Sequence, residues 1–129
     1  MRVKDFMTQN PVIVSPLDNI QYTFQVLTNN GIHQVPVVSK GELVGIVTDR
    51  DLRIAMSEDI SSPNLNIGNV MSKSPVSATD DLRMVEPVKI IRKRRFNALP
   101  VINKKGEPVG IVTVRDILDG LINLFEISK

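Results

Sequence analysis

The 129-residue chain contains no cysteine and no tryptophan, a single histidine, and aromatic side chains at only 4% of its positions. Without thiols there is no disulfide framework, no thiolate zinc site and no cysteine nucleophile, and one imidazole excludes any site that needs two. Long apolar runs are missing as well: nothing approaches the roughly 18 residues of a membrane span, and Met1-Arg2-Val3-Lys4-Asp5 leads into no signal-peptide hydrophobic segment. The expectation is a soluble, cytoplasmic protein with no membrane partner. An excess of one charge is also lacking. The formal net charge of +2 is too small to mark the whole chain as a nucleic-acid binder, although positive charge gathers in Arg92-Lys93-Arg94-Arg95.

What is present is a repeat. GELVGIVTDRD, beginning at Gly41, returns sixty-five residues later as GEPVGIVTVRD from Gly106, with nine of eleven positions identical. Upstream, Met7, Pro11, Val12, Pro36 and Val37 recur at a constant offset of sixty-four as Met71, Pro75, Val76, Pro100 and Val101. Two copies cannot form an open solenoid, which needs about three repeats to bury its faces. The arrangement expected is two halves closing about a pseudo-twofold axis, residues 1–58 and 67–129, joined by a polar connector at 59–66 that reads as a surface loop. Each half is small enough that its core would be marginal alone, so a shared core is expected.

Within the first half, Val12-Ile13-Val14 reads as a short strand, followed by Ser15-Pro16-Leu17-Asp18-Asn19, which supplies turn and N-cap chemistry. The helix that follows carries Ile20, Phe24 and Leu27 on one face and ends at Gly31, suited to the left-handed position after a helix. Val35-Pro36-Val37-Val38 and Leu43-Val44-Gly45-Ile46-Val47 are two strands joined by a tight turn at Lys40-Gly41, and a helix from about Asp49 to Ser57 closes the half. The first two strands should run parallel through a right-handed crossover. The second half repeats the plan, with Pro75-Val76 as first strand, Leu99 to Ile102 and Val109 to Val112 as the hairpin, and a final helix from about Val114 to Ile127. Pro87, in the helix starting near Arg83, is tolerable where the first helical N–H groups lack partners anyway. At Arg95, where the first copy has Gly31, the helix is expected to end differently.

In both copies an apolar strand runs into Thr-x-Arg-Asp at the start of a helix, giving Thr48, Arg50 and Asp51, then Thr113, Arg115 and Asp116. Two readings fit this spacing. It is close to a capping box, in which the threonine hydroxyl accepts from a backbone N–H and the carboxylate reaches back to the N-cap. The same geometry also offers free N–H groups at a helix start, a hydroxyl, and a guanidinium able to hold phosphate oxygens, while the carboxylate can accept ribose hydroxyls.

The ordered, doubled motifs Val-Pro-Val-Val then Gly-Ile-Val-Thr-Asp-Arg-Asp-Leu, and Leu-Pro-Val-Ile then Gly-Ile-Val-Thr-Val-Arg-Asp-Ile, resemble the cystathionine β-synthase (CBS) domain, occurring here as a tandem pair. Val3-Lys4-Asp5-Phe6-Met7-Thr8 and Ile67-Gly68-Asn69-Val70-Met71-Ser72 look like the lead-in segments of that domain. The resemblance implies an α+β fold of two pseudo-twofold-related β-α-β-β-α repeats, with small mixed sheets and helices packed at the shared interface. It further implies a regulatory adenine nucleotide (AMP, ADP or ATP) or S-adenosylmethionine bound in clefts between the repeats, with no cofactor required. On the family's pattern, ribose falls to Asp51 and Asp116, and hydroxyl contacts fall to Thr48 and Thr113. Adenine would lie against Val12, Ile13 and Val14 with Val35 and Pro36, or against Val76, Ser77 and Ala78 with Leu99 and Pro100. His33 occupies a position that reaches phosphates in adenylate-sensing relatives, although a lone histidine is otherwise a surface or structural residue. Arg50 and Arg115 carry the stronger anion case. The differences Asp49 against Val114 and His33 against Asn97 are expected to make the two sites unequal in charge.

The last helix places Ile117, Leu118, Leu121, Ile122 and Phe125 on one face, which either packs on the other repeat or, by the family's habit, joins a homodimer. Together these features describe a stand-alone regulatory module signalling to a partner protein that no residue identifies. An RNA- or DNA-binding protein using Arg92 to Arg95 is the alternative from another class, with few aromatics for base stacking. A purely structural dimerisation module, its Thr-x-Arg-Asp segments acting as caps only, is a third. Enzymatic activity is not expected, because there is no metal cluster, the histidine has no evident nucleophile partner, and the paired aspartates belong to separate repeats.

Overall fold

A computed structural model describes residues 1–58 and 65–127; most of the connector, residues 59–64, lies outside the described residues. The two β-branched runs either side of Lys40-Gly41 pair antiparallel as β2 (Gln34–Ser39) and β3 (Glu42–Thr48). Lys40 and Gly41 both have positive φ, 53° and 81°, the backbone that matches the twist of a two-residue hairpin. In the second repeat β6 (Ala98–Ile102) and β7 (Pro108–Thr113) form the equivalent hairpin, with a register shift between Val101 and Ile102 that matches the one between Val37 and Val38 in the first. Its longer turn is held by the Asn103 side chain, which accepts from the N–H groups of Lys105 and Glu107 at 2.9 and 3.0 Å.

Helix α1 (Ile20–Asn30) begins as its sequence dictates: the Asn19 side chain accepts from the Tyr22 N–H at 2.8 Å, satisfying one of the unpaired donors of the first turn. It ends on Gly31 at φ 62° and buries Ile20, Thr23 and Leu27. Helix α3 (Val85–Arg94) has Pro87 as its third residue, where no intrahelical N–H is missed. The expectation that this helix ends differently is corrected. Arg95 adopts the same left-handed conformation, φ 58°, and its N–H bonds the Ile91 carbonyl; hydrogen bonding of the helix end outweighs the 1–2 kcal/mol or so that a Cβ costs there.

The expected first strands also shift. Only Val14 of the Val12 to Val14 run pairs, its N–H donating to Pro36 O at 3.0 Å and its carbonyl accepting from the Val38 N–H at 2.8 Å. The chain turns away at once, because Asp18 N–H closes a turn onto Ser15 O. In the second repeat pairing falls on β5 (Ala78–Thr79) and not on Pro75-Val76, since proline has no N–H to give a ladder. Both contacts with the next strand are parallel, as the crossover requires.

Two further strands carry no strand signal in the sequence. β1 (Thr8–Gln9) pairs antiparallel with β7, and β4 (Ser72–Lys73) with β3. The sheets therefore run β1-β7-β6-β5 and β2-β3-β4, with Val14 beside β2. Packing divides the chain into two compact units, residues 1–11 with 76–129, and residues 12–75. The lead-in of each repeat thus builds the sheet of the other repeat's hairpin. Short 3-10 turns, Val3–Asp5 and Ile67–Asn69, each sink one fully buried side chain, Val3 or Ile67, into those units.

In place of the single shared core expected, each unit has its own. One gathers Val14, Ile20, Leu27, Val35, Val37, Val47, Leu52 and Ile67, and the other Val3, Ala78, Met84, Ile91, Leu99, Val101 and Val112. The lead-in methionines explain a glycine in each hairpin. A Cβ at Gly45 would collide with Met71 Sδ and lie 2.9 Å from its Cγ, and one at Gly110 would meet Met7 in the same way. Among the described residues no helix is long and apolar enough to cross a membrane.

Candidate functional site

At the end of β3 the chain passes directly into α2 (Asp49–Glu58), and at the end of β7 into α4 (Val114–Ile127). Both junctions form reciprocal capping boxes. Thr48 N–H donates to Asp51 Oδ2 at 3.0 Å while Asp51 N–H donates to Thr48 Oγ1 at 3.1 Å. The Thr113 and Asp116 pair repeats this at 2.9 and 3.0 Å. The capping reading of the motif therefore holds in both repeats. It does not exhaust the groups, because each carboxylate commits only Oδ2 to the cap and keeps further lone pairs.

Thr48, Arg50, Asp51, His33, Val12, Ile13, Val14, Val35 and Pro36 all lie in the unit of residues 12–75, and Thr113, Arg115, Asp116, Val76, Ser77, Ala78, Leu99 and Pro100 in the other. Their exposures differ. Val14, Val35, Pro36, Ala78, Leu99 and Pro100 are buried in the cores, so what they can present to a ligand is backbone. Ile13 is exposed, and Val12, Val76 and Ser77 are half-buried. Arg50 and Arg115 are exposed, and no ion pair engages either among the described residues. Asp51 opens onto a depression of about 490 Å³ lined also by Ile54, Leu65, Asn69 and Val70.

The two differences singled out between the repeats are one contact. His33 Nδ1 lies 3.1 Å from Asp49 Oδ2, and Arg53 reaches the same oxygen at 3.6 Å. In the other repeat the three positions hold Asn97, Val114 and Leu118, which cannot form it. The backbone link beneath is unchanged, with Asp49 N–H on His33 O at 2.9 Å and Val114 N–H on Asn97 O at 3.0 Å. The hydrogen bond from His33, helped by the Arg50 backbone N–H and the Arg53 guanidinium, holds the Asp49 carboxyl below its ordinary range, against the opposing effect of burial.

Two polar groups near these sets escaped the sequence reading. The Gln34 side-chain nitrogen, on the residue opposite Thr48 in the β2–β3 register, is buried and has no hydrogen-bond partner among the described residues. Thr8 of β1 donates its hydroxyl to Asp116 Oδ1 at 3.2 Å and approaches Oδ2 at 3.4 Å. The only sequence signal for Thr8 was its place in a recurring lead-in. Arg92, Lys93 and Arg94 form the exposed last turn of α3, where cations face the carbonyl end of the helix dipole.

The family model for the CBS domain matches residues 3–58 and again residues 67–123. A CBS domain-containing protein of Dictyostelium discoideum is 33% identical over 135 residues, covering 96% of this chain and 93% of its own. The chain is 30% identical over 116 residues to the inosine-5′-monophosphate dehydrogenase of Korarchaeum cryptofilum, of which it spans 23%. The solved CBS domain pair of protein MJ0100, in complex with 5′-methylthioadenosine and S-adenosyl-L-methionine, matches with a TM-score of 0.81 at 26% identity, over 100% of this chain and 98% of that one. The cytosolic domain of the magnesium channel MgtE in complex with ATP matches with a TM-score of 0.80 at 28% identity, over 92% of this chain and 48% of that one.

Proposed function

This chain belongs to the CBS-domain family, carrying the domain twice, and we propose that it is a regulatory module that binds an adenosine derivative and signals its occupancy to a partner protein. The observation that carries the reading is the doubled arrangement of a carboxylate that gives one oxygen to its cap and an exposed arginine at a helix start: Asp51 with Arg50, and Asp116 with Arg115. The carboxylates suit ribose hydroxyls. The guanidiniums suit phosphate, or the carboxylate of S-adenosylmethionine. Support for the adenosine part comes from the ligands named for the MJ0100 and MgtE structures.

In this reading Thr48 and Thr113 assist at ribose or phosphate, and His33 adds a second phosphate donor to one set only. Val12, Ile13, Val76 and Ser77 flank the base by side chain; Val14, Val35, Pro36, Ala78, Leu99 and Pro100 contribute backbone from beneath. No catalytic role is assigned, and the adenosine derivative acts as ligand, not cofactor. Signalling requires that ligand and partner prefer the same conformational state.

The module also forms a homodimer in this reading. Helix α4 buries none of its residues although Leu118, Leu121, Ile122, Leu124 and Phe125 are all at least 40% exposed, an apolar stripe of the kind that marks an interaction surface.

Calorimetry with AMP, ADP, ATP and S-adenosylmethionine tests the ligand. At least one is expected to bind below millimolar concentration, with Asp51→Ala and Asp116→Ala each removing a site. If none binds the wild type, the reading is wrong.

A further inference from the structure

The two carboxylates proposed to hold ribose differ in one respect that the repeat does not anticipate. Each gives Oδ2 to its own cap. Asp116 Oδ1 is then taken by the Thr8 hydroxyl at 3.2 Å. The matching residue in the other unit is Ser72, whose backbone sits in the same register: Ser72 is opposite Ile46 in β3 as Thr8 is opposite Ile111 in β7. Yet Ser72 makes no hydrogen bond to Asp51, and among the described residues Asp51 Oδ1 has no partner.

Chemistry at Cβ accounts for the difference. Threonine is β-branched, so its hydroxyl is confined to few χ1 positions, and on β1 one of them points at Asp116. Serine rotates more freely and gains less from holding that position. A ribose presents two adjacent hydroxyl donors, and a carboxylate oxygen must be open to accept them. At Asp51 an oxygen is open. At Asp116 that oxygen already accepts the chain's own Thr8 hydroxyl.

We propose that Thr8 sets the affinity of the Asp116 set by acting as an internal stand-in for a ribose hydroxyl, so that a ribose-bearing ligand must displace it there but meets no such competitor at Asp51. This rests on the nucleotide reading above. The competitor lies on the two-residue edge strand β1, so occupation of the Asp116 set removes the hydroxyl tie between β1 and α4.

The test is calorimetry with adenosine and 2′-deoxyadenosine in a protein carrying Asp51→Asn, which silences the open set while an amide oxygen keeps the cap. Adding Thr8→Val is expected to raise adenosine affinity about tenfold, the size of one hydrogen bond to a charged group, and to raise that of 2′-deoxyadenosine less. Thr8→Ser is expected to gain as well, because serine does not hold the bond at the matching position. Conversely, Ser72→Thr in an Asp116→Asn protein should weaken adenosine binding. Urea unfolding of the Thr8 variants serves as the control for folding. An adenosine affinity that is unchanged or lowered by Thr8→Val overturns the proposal while leaving the nucleotide reading intact. Failure of adenosine and the nucleotides to bind even the wild type overturns both.

Discussion

At the scale of single residues, the motif shared by the repeats serves structure and ligand chemistry with the same atoms. Thr48 and Asp51, like Thr113 and Asp116, close a capping box worth about 0.5–2 kcal/mol to a helix start, and each cap engages only one of the two carboxylate oxygens. Their spacing was legible in the sequence because a cap is local, fixed by residues three apart. The pairing of His33 with Asp49 was not, since sixteen positions separate them and only the β2–β3 hairpin brings them to 3.1 Å. This contact has a pH consequence. The Asp49 pKa is lowered in the folded chain, chiefly by the His33 hydrogen bond, so it contributes stability above the unfolded carboxylate value of about 3.9 and loses it as pH falls through the depressed folded value. His33→Ala is expected to move the Asp49 carboxyl back towards its ordinary range, followed by carbon-detected NMR titration. Its destabilisation should be present at neutral pH and vanish in acid. An Asp49 titration identical in the two proteins would refute the pairing.

At the scale of elements, helices and hairpins were largely readable, and short strands were not. Helix α4 spans Val114–Ile127 as its apolar period foretold, and α1 starts at Asn19 and stops at Gly31 for reasons written in those residues. β1 and β4 are two residues long, too short to show alternation, and they exist because a partner strand accepts them. Arg95 shows the limit of local reasoning from the other side. Its sequence argued against a left-handed end, but the Ile91 carbonyl needs a donor and the helix takes one from the Arg95 N–H regardless of the side chain. Arg95→Gly, restoring what Gly31 provides in the first repeat, is expected to stabilise the protein by about 1 kcal/mol. A urea midpoint raised at constant slope would register it; no change, or a loss, would mean the guanidinium contributes more than the strain it imposes.

At the scale of the whole molecule, α4 makes an exposed apolar face where a globular chain ordinarily shows polar side chains. With Phe125 at 65% and Ile122 at 53% exposure, burial against a second copy would remove this surface from water. Phe125→Asp is expected to shift the protein from dimer to monomer in native mass spectrometry and in sedimentation, with its unfolding by urea still cooperative. A wild type that is monomeric at micromolar concentration would refute this.

By itself the sequence determined that one unit occurs twice, which elements each copy contains, and which polar residues recur at the head of a helix, because repetition, periodicity and capping are all properties of neighbouring residues. Only the tertiary structure decided that each lead-in completes the other repeat's hairpin sheet, through the fit of Met7 to Gly110 and of Met71 to Gly45. It also decided that the Thr8 hydroxyl bonds Asp116 while, among the described residues, Ser72 makes no such bond to Asp51. Those outcomes rest on contacts between residues far apart in the chain, where a single methyl group or the absence of a Cβ settles which atoms meet.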